Sequence, residues 1–358
     1  MKHILCINSG SSSLKFSLFR MKKGAEEICL RGALDRIGLD RHFPDHAAAL
    51  EELFRKLDQQ KLPQPDAVGH RVVHGGSLYA APAQVDAVLI AELKRLIPFA
   101  PLHQPAAIAC IEAMSERDPK ILQVACFDTA FHSTIPENAA RYPLPRSLWD
   151  SGVRRYGFHG LSYEYVMSML GENAPERIII AHLGNGASMA AVLNGKCIDT
   201  TMGMTPTGGI MMGTRPGDLD PGILIHLLLN EKNEKMDISA LDRMLNHESG
   251  LLGVSGISPD MKTLLDARRS NPRADQAIRM FCRIARKEIS ALAATLGGLD
   301  LLLFTGGIGE RSAEIRAEIC EGLEFLGITN ASLGTCAVRV IPTHEDLMIA
   351  RHVKSFMA

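Results

Sequence analysis

The strongest constraint on the fold is a pattern of strand, Gly/Ser-rich turn and strand that occurs twice in the chain. The first copy spans Ile4 to Phe19 and turns at Asn8 to Ser13. The second spans Ile178 to Leu193 and turns at Gly184 to Ser188. A third apolar strand, Leu301 to Phe304, also runs into a glycine-rich turn, before a helix expected to begin near residue 312. Internal similarity of this kind predicts a duplicated unit with several glycine-rich turns around one central cleft.

Helical periodicity between these strands predicts an α/β architecture. Apolar residues recur at helical spacing from Leu50 to Leu57 and from Leu89 to Ile97. The longest predicted helix covers Asp275 to Leu296 and ends at two glycines, and its apolar stripe indicates a core-facing helix. A last helix, Leu347 to Phe356, is expected to return to the first domain. We therefore predict one domain from residues 1–150 plus 346–358, and a second from residues 151–345.

Composition limits the partners of the chain. Its 358 residues contain 39 Lys and Arg against 40 Asp and Glu, so no broad basic field is available for nucleic acid or a membrane surface. Any anion site has to be local. The apolar runs are too short for a signal peptide or a membrane span. The eight scattered cysteines form no Cys-x-x-Cys pair and are typical of reduced core residues, which predicts a cytoplasmic location.

The glycine-rich turns favour a phosphate-bearing ligand, because they let backbone N–H groups approach an anion closely. Lys15 alternates with Ser11 and Ser13, so a strand there would direct all three to one side. Taken singly, such a turn is most often structural, and Lys15 alone is typical of a solvated strand. The chain has no P-loop, His-Glu-x-x-His or Gly-x-Ser-x-Gly motif, and no Gly-x-Gly-x-x-Gly follows the first strand. The remaining interpretation is phosphate chemistry on a different scaffold.

Arg71, Arg215 and His159 each lie within two residues of a glycine, in segments that are otherwise largely apolar. Phosphoryl transfer depends on positive donors around the equatorial oxygens, in-line geometry and a bridging metal. Each arginine alone is more often an ion-pair or loop residue, and a lone histidine is more often structural. The chemical interpretation therefore depends on the convergence of these residues.

Eight motifs resemble the acetate kinases in order and spacing, and they cover nearly the whole chain. They are Asn8 to Lys15, His70 to Gly76, Ala100 to His103, Phe127 to His132, Arg155 to Gly160, His182 to Gly186, Met211 to Arg215 and Gly306 to Glu310. The resemblance implies a duplicated actin-like ATPase fold, related to ribonuclease H, with two lobes around a cleft. It also implies a homodimer.

The resemblance implies a magnesium-dependent acetate kinase, which transfers a phosphoryl group directly from ATP to acetate and yields acetyl phosphate and ADP. Asn8 and Glu345 match the metal positions, and both offer hard oxygen donors suited to Mg²⁺, with Mn²⁺ as an alternative. The matched catalytic residues are Arg71, Asp128, His159 and Arg215. Arg71 also matches the carboxylate-binding position.

Two further groups of residues follow from the same resemblance. The small apolar pocket for the acyl methyl group is matched by Val73, Leu102, Phe158 and Pro206. The nucleotide-binding positions are matched by Lys15, His182, Leu183, Gly184, Asn185, Gly186, Asp260, Met261, Lys262, Gly307, Ile308, Gly309, Glu310 and Arg311.

Elementary chemistry agrees with this assignment. A carboxylate nucleophile is already ionised near neutral pH, so no strong general base is needed to activate it. Asp128 is then expected to orient an arginine, a water or the metal. Two arginines and His159 would offset the repulsion between acetate and the terminal phosphate.

The chain departs from the family pattern mainly at positions that match the nucleotide-binding residues. Lys262 stands where the family has Arg and cannot reproduce its planar surface, and Arg311 stands where an Asn is usual. His344 replaces an Asn or Asp beside Glu345, and the chain is shorter than usual members, with apparent deletions in 19–71 and 311–342. Three alternatives stay open: a propionate or butyrate acceptor, a pyrophosphate or other donor, and a non-catalytic actin-like nucleotide-binding module.

Overall fold

The computed structural model describes residues 1–39, 42–101, 103–229, 236–329 and 335–357. By packing, the chain divides into two compact units. The first comprises Met1–Ser133, Phe158–Tyr165 and His344–Ala358, and the second comprises Thr134–Gly157 and Val166–Thr343. The predicted boundary after residue 150 falls within Thr134–Gly157, which packs in the second unit.

The described strands form two mixed sheets, one in each unit. The first sheet contains β1 (Lys2–Gly10), β2 (Ser13–Lys22), β3 (Ala25–Asp35), β4 (Ala67–Val72), β5 (Ala83–Gln84) and β6 (Leu122–Phe127). The second contains β7 (Arg177–Leu183), β8 (Ala187–Leu193), β9 (Lys196–Thr200), β10 (Leu301–Thr305) and β11 (Ala337–Val340).

The two sheets repeat one topology. In the first, the order is β3-β2-β1-β4-β6-β5, with β1 antiparallel to β2 but parallel to β4, and β4 parallel to β6. In the second, the order β9-β8-β7-β10-β11 has the same sequence of antiparallel and parallel pairs. This repetition confirms the duplication predicted from the two strand-turn-strand segments.

The described α-helices connect and flank these strands. They are α1 (His46–Gln59), α2 (Ala87–Arg95), α3 (Gln104–Arg117), α4 (Glu137–Ala140), α5 (Arg146–Asp150), α6 (Gly160–Leu170), α7 (Pro221–Leu229), α8 (Ile238–Arg243), α9 (Gly250–Ser255), α10 (Met261–Ala267), α11 (Pro272–Leu296), α12 (Gly306–Arg311), α13 (Ala313–Cys320) and α14 (Glu345–Phe356). Short 3₁₀ turns lie at Ile97–Phe99, Ala130–Thr134, Gly171–Asn173 and Glu324–Leu326, and a π-helical turn at Met244–Glu248. No described helix is both long and apolar enough to cross a membrane.

Strand β1 is buried on both faces because its apolar run is continuous. Leu5 and Ile7 pack in the cluster formed with α1 and α3, whereas Ile4 and Cys6 pack in the cluster formed with α14. Alternate residues of a strand point to opposite faces, so one run supplies two cores. The first sheet is therefore covered by helices on both sides.

The C-terminal helix α14 lies against β1 and β4 in the first unit, as the sequence predicts. A Cβ atom on Gly69 of β4 would collide with Ile349 and Val353 of this helix. The glycine that precedes His70 is thus required for close packing of helix on sheet. This contact helps to set where Glu345, the first residue of α14, lies.

The helix predicted over Asp275 to Leu296 is confirmed, and Gly297 ends it in the left-handed region with φ +71°. Ser312 caps the predicted following helix by accepting a hydrogen bond from the N–H of Ile315. The sequence predicts a glycine-rich turn over the preceding segment, Thr305 to Glu310, and this prediction is wrong for most of it. Gly306 to Arg311 form the short helix α12, because Gly306 turns with φ +76° and lets the helix begin directly at the end of β10.

Candidate active site

Arg71 and Asp128 come together because β4 and β6 are parallel neighbours that end at the same edge of the sheet. Arg71 is the penultimate residue of β4, and Asp128 directly follows β6. The guanidinium donates from Nε to Oδ1 at 3.0 Å and from Nη2 to Oδ2 at 2.6 Å. Asp128 is also fixed through its backbone, whose N–H donates to the carbonyl of Val72 at 3.0 Å. A bidentate pair of this kind holds a guanidinium in one orientation.

Glu345 is the second carboxylate at this arginine. Its Oε2 lies 3.3 Å from Arg71 Nη1, and the side chains of Arg71, Asp128 and Glu345 are 18%, 2% and 15% exposed. Burial alone would lower the pKa of Arg71, but the charges of Asp128 and Glu345 outweigh burial and raise that pKa above its ordinary value. The arginine therefore stays charged between two carboxylates.

His159 adopts an uncommon backbone conformation beside Asp128. Its φ is +60°, and it lies between Phe158 and Gly160 at the start of α6. The N–H of Gly160 donates to the carbonyl of Asp128 at 2.8 Å, and a Cβ at that glycine would collide with the same carbonyl. The surrounding structure thus holds a non-glycine residue at positive φ, a form of strain that is common at functional sites.

The predicted apolar residues of the first unit lie in the same region. Phe158 is 1% exposed, and its carbonyl is 2.9 Å from Nε2 of His132. Its ring packs edge-on against the ring of His74, with 5.6 Å between centroids. Val73 is half-buried directly after β4. Leu102 lies outside the described residues.

Asn8 and Lys15 face each other across the β1–β2 hairpin as partners in the strand register. Asn8 is half-buried and Lys15 is exposed. Among the described residues, no carboxylate lies within ion-pair distance of Lys15 that would neutralise it. Ser17 on the same hairpin donates to Asp346 at 2.6 Å, which fastens β2 to the first turn of α14 beside Glu345.

Arg215 and Pro206 are brought together in the second unit. Nη1 of Arg215 donates to the carbonyl of Pro206 at 2.7 Å, and the carbonyl of Arg215 accepts from the N–H of Met212 at 3.0 Å. Burial lowers the pKa of Arg215. No acidic side chain in the described ranges forms an ion pair with it, and the guanidinium is held by the backbone carbonyl of Pro206.

A cavity of about 560 Å³ in the second unit collects most of the predicted nucleotide residues. Its lining consists of Gly184, Asn185, Asp260, Met261, Lys262, Leu265, Gly307, Ile308, Arg311 and Ser312. The β7–β8 turn and α12 form adjoining walls: a Cβ atom added to Gly184 would lie 3.8 Å from the backbone nitrogen of Gly307. The backbone carbonyl of Asn185, in the β7–β8 turn, accepts a hydrogen bond from the N–H of Gly213 at 3.0 Å. This bond holds the turn in place.

Two charged residues of the cavity have local partners. Asp260 caps α10 by accepting from N–H and Oγ1 of Thr263, both at 2.9 Å, and these bonds lower its pKa. Nζ of Lys262 lies 2.9 Å from Asp266, which raises the pKa of Lys262. Both side chains are thus oriented by their own helix.

Five predicted nucleotide residues of this unit are not part of the cavity lining: His182, Leu183, Gly186, Gly309 and Glu310. Leu183 and Gly309 are buried, and His182 is 8% exposed. The motif comparison missed Leu265 and Ser312, which do line the cavity. Leu265 is four residues after Met261 and therefore on the same face of α10, a spacing that would have indicated it.

Comparison with known proteins identifies the family. The acetokinase family matches residues 3–351. The acetate kinase of Rhodopseudomonas palustris (strain ATCC BAA-98 / CGA009) is 43% identical, over 98% of this chain and 97% of that protein. The chain belongs to the acetokinase family.

Solved structures agree with this membership. The crystal structure of Porphyromonas gingivalis acetate kinase is similar with a TM-score of 0.91 and 37% identity, covering 100% of both chains. A propionate kinase from Francisella tularensis subsp. tularensis SCHU S4 gives a TM-score of 0.92 and 34% identity, over 99% of this chain and 100% of that one. The predicted family and the predicted duplicated actin-like fold are confirmed. The alignment with the Rhodopseudomonas protein spans 392 positions, more than the 358 residues of this chain, and so contains gaps on this side.

Proposed function

We propose that the chain is an acetate kinase, which transfers a phosphoryl group reversibly between ATP and acetate and forms acetyl phosphate and ADP. The observation that carries the proposal is the match over 98% of the chain to a protein named acetate kinase. The geometry of the two units supports it, because one unit holds a fixed arginine suited to a carboxylate and the other holds a cavity suited to a nucleotide.

Arg71 is proposed to bind the carboxylate of acetate. A guanidinium has five N–H donors, and Asp128 accepts two of them. The remaining donors serve Glu345 and the incoming substrate. Asp128 acts by orienting this guanidinium, since acetate is already ionised and needs no proton removed. Val73 and Phe158 of the first unit are proposed to contact the methyl group.

Arg215 and His159 are proposed to stabilise the phosphoryl group during transfer. Arg215 is largely buried without an acidic partner in the described ranges, and it is held by the carbonyl of Pro206. Such a cation favours an anionic ligand, and preorganised donors lower the barrier where charge develops. His159 is held rigidly at the start of α6 and donates to the same group.

A divalent metal, with Mg²⁺ as the first choice and Mn²⁺ as an alternative, is proposed to bind Asn8 and Glu345. These side chains fit a hard cation, because they offer an amide oxygen and a carboxylate oxygen, and α14 packs directly on β1. No group of three His, Cys, Asp or Glu side chains converges in the described part of the chain. Mg²⁺ typically uses only one or two carboxylates, with waters and phosphate oxygens completing its shell. When bound, it would neutralise charge between the phosphates.

The nucleotide is proposed to occupy the cavity between the β7–β8 turn, α10 and α12. Met261, Leu265 and Ile308 give it apolar walls suited to the faces of an adenine ring, and Lys262 and Arg311 add positive charge. Lys15 is proposed to contact the phosphates. The remaining matched positions, Leu183, Gly186 and Gly309, support the walls of this site.

The decisive test incubates the purified protein with ATP, Mg²⁺ and acetate and measures acetyl phosphate as its hydroxamate. Product formation is expected. A folded protein that binds ATP but forms no product would favour the non-catalytic nucleotide-binding module. GTP and pyrophosphate are tested beside ATP, because Lys262 and Arg311 alter the donor site.

A propionate acceptor is the second candidate, and the similarity to a propionate kinase structure favours testing it. One methylene in an apolar pocket changes binding by only about 1 to 3 kcal/mol. Values of kcat/KM for acetate, propionate and butyrate therefore decide the acceptor. Acetate is expected to give the highest value, and a higher value for propionate would reassign the substrate.

A homodimer is proposed, and helix α7 supports it. None of the residues of α7 is buried, although its sequence is almost entirely apolar, and Ile225 and Leu229 are 58% and 74% exposed. A patch of this kind is typical of a protein interface. Sedimentation is expected to show a dimer that the double variant Ile225→Glu, Leu229→Glu converts to monomers. Val88→Glu, at an equally exposed residue of α2, serves as the control.

A further inference from the structure

The carboxylate of Glu310 joins two backbone segments of the second unit. Its Oε1 accepts from the N–H of Gly306 at 3.0 Å and from the N–H of Thr343 at 2.9 Å. The hydroxyl of Thr305 lies 3.5 Å from the same oxygen. One oxygen therefore fastens the first residue of α12 to the segment that follows β11.

Further contacts hold helix α12 at both of its ends. The start of α12 packs closely against the end of β7. A Cβ atom on Gly306 would collide with the backbone of Leu183. At the other end, Nη1 of Arg316 donates to the carbonyls of Gly309 and Glu310 at 2.9 and 3.0 Å. Within the described ranges, the N–H of Gly306 has no side-chain acceptor other than Glu310.

The second segment leads to the proposed metal site. Thr343 is the last residue of the second unit, and His344 follows it as the N-cap of α14, whose first residue is Glu345. The hydrogen bond from Thr343 to Glu310 thus fixes the backbone two residues before that carboxylate. Gly307 on α12 lines the nucleotide cavity, whereas Glu310 does not.

We propose that Glu310 is a positioning residue that ties the nucleotide-binding helix α12 to the backbone of Thr343, two residues before Glu345, through its acceptor oxygen and without contact to the nucleotide. Its position in the glycine-rich motif had predicted a nucleotide contact. The kinetic consequence rests on the proposed function. The clamp itself does not, because it involves only protein groups.

Amide hydrogen exchange without substrate tests the clamp directly. In Glu310→Ala, the N–H groups of Gly306 and Thr343 lose their acceptor and are expected to exchange at least about tenfold faster. Glu310→Gln retains a carbonyl oxygen and is expected to keep most of the protection. Glu321→Ala, at an exposed glutamate of the same unit, is the matched control. Unchanged exchange in Glu310→Ala would overturn the proposal.

Kinetics then test the coupling. Removing a residue that orients the binding residues of a site typically lowers affinity or activity about 10- to 100-fold. We therefore expect Glu310→Ala to lower kcat/KM for ATP by about that factor and to raise the KM values of ATP and Mg²⁺. The KM of acetate is expected to change much less, because Asp128 still holds Arg71 in place. A mere loss of folded enzyme would lower the apparent kcat and leave every KM unchanged, so the rise in the KM values of ATP and Mg²⁺ distinguishes the coupling from misfolding.

The conservative variants separate the acceptor from the charge. Glu310→Gln is expected to restore most of the activity, and Glu310→Asp, which keeps the charge but is one methylene too short, is expected to resemble Glu310→Ala. If Gln were as impaired as Ala while Asp stayed active, the charge would act directly and the proposal would fail. Should Glu310→Ala not fold, the Gln and Asp variants decide alone. Should the chain lack acetate kinase activity, the exchange experiment still decides whether the clamp exists.

Discussion

Replacement of Asp128 by Asn separates orientation of Arg71 from proton transfer. The two residues have nearly the same volume, and Asp128 is 2% exposed, so the exchange changes charge and hydrogen bonding more than packing. Asp128 accepts from both Nε and Nη2 of Arg71. Asn has one acceptor oxygen, and its NH₂ group would face a guanidinium N–H. One of the two bonds is therefore lost.

The size of the effect follows from that lost bond. A hydrogen bond to a charged group contributes roughly 1.5 to 3 kcal/mol, and each 1.4 kcal/mol is about tenfold in an equilibrium or rate. Glu345 keeps the guanidinium charged and partly paired at 3.3 Å. We expect Asp128→Asn to lower kcat/KM for acetate about 10- to 150-fold, with a clear rise in the KM of acetate because its binding partner is no longer held in one orientation.

The assay measures hydroxamate formation at varied acetate concentration from pH 5.5 to 8.5, with ATP and Mg²⁺ saturating. Asp58→Asn, at an exposed residue of α1, is the control for charge removal in the same unit. If Asp128 orients Arg71, the pH profile of kcat/KM keeps its shape in the variant and shifts only downward.

A general base would behave differently. Its removal would abolish the acidic limb of the profile and reduce kcat with little change in the KM of acetate. A flat acidic limb in Asp128→Asn, with the KM of acetate unchanged, would refute the orienting role and the reasoning from substrate ionisation.

Three further predictions concern packing, surface charge and pH. Gly69→Ala is expected to destabilise the protein by about 1 to 3 kcal/mol, seen as a lower urea midpoint, because the new methyl group collides with α14. Lys262→Ala is expected to change the KM of ATP less than about fivefold, because this ammonium is 83% exposed and already paired with Asp266; a loss of a hundredfold would show direct phosphate contact. Burial lowers the pKa of His70 and of His132 from 6.5 to about 4, so both are neutral in the folded state while the unfolded chain takes up protons between these values. Stability is therefore complete above pH 6.5 and is expected to fall towards pH 4 by roughly 3 kcal/mol for each histidine, which denaturation midpoints across that range would measure; a midpoint independent of pH would contradict it.

The nucleotide cavity shows which site residues can be predicted from sequence motifs and which cannot. The turn at Gly184 and the segment at Gly307 were matched as separate motifs, and both line one cavity with Met261. Glu310 lies in the same motif, yet it binds backbone N–H groups. A linear motif records residue identity at each position, whereas the direction of a side chain depends on the turn of α12 and on what packs against it.

The duplicated α/β fold can be predicted from the sequence, because alternating apolar strands, amphipathic helices and glycine turns are set by interactions within a few residues of chain. The family can be predicted as well, since eight ordered motifs specify it. Only the folded chain shows that Arg71 pairs with Asp128, 57 residues away, and that Glu310 binds the N–H of Thr343, 33 residues away. Such pairs depend on which strands become neighbours in the sheet and where each one ends, and those are non-local properties that no stretch of sequence carries.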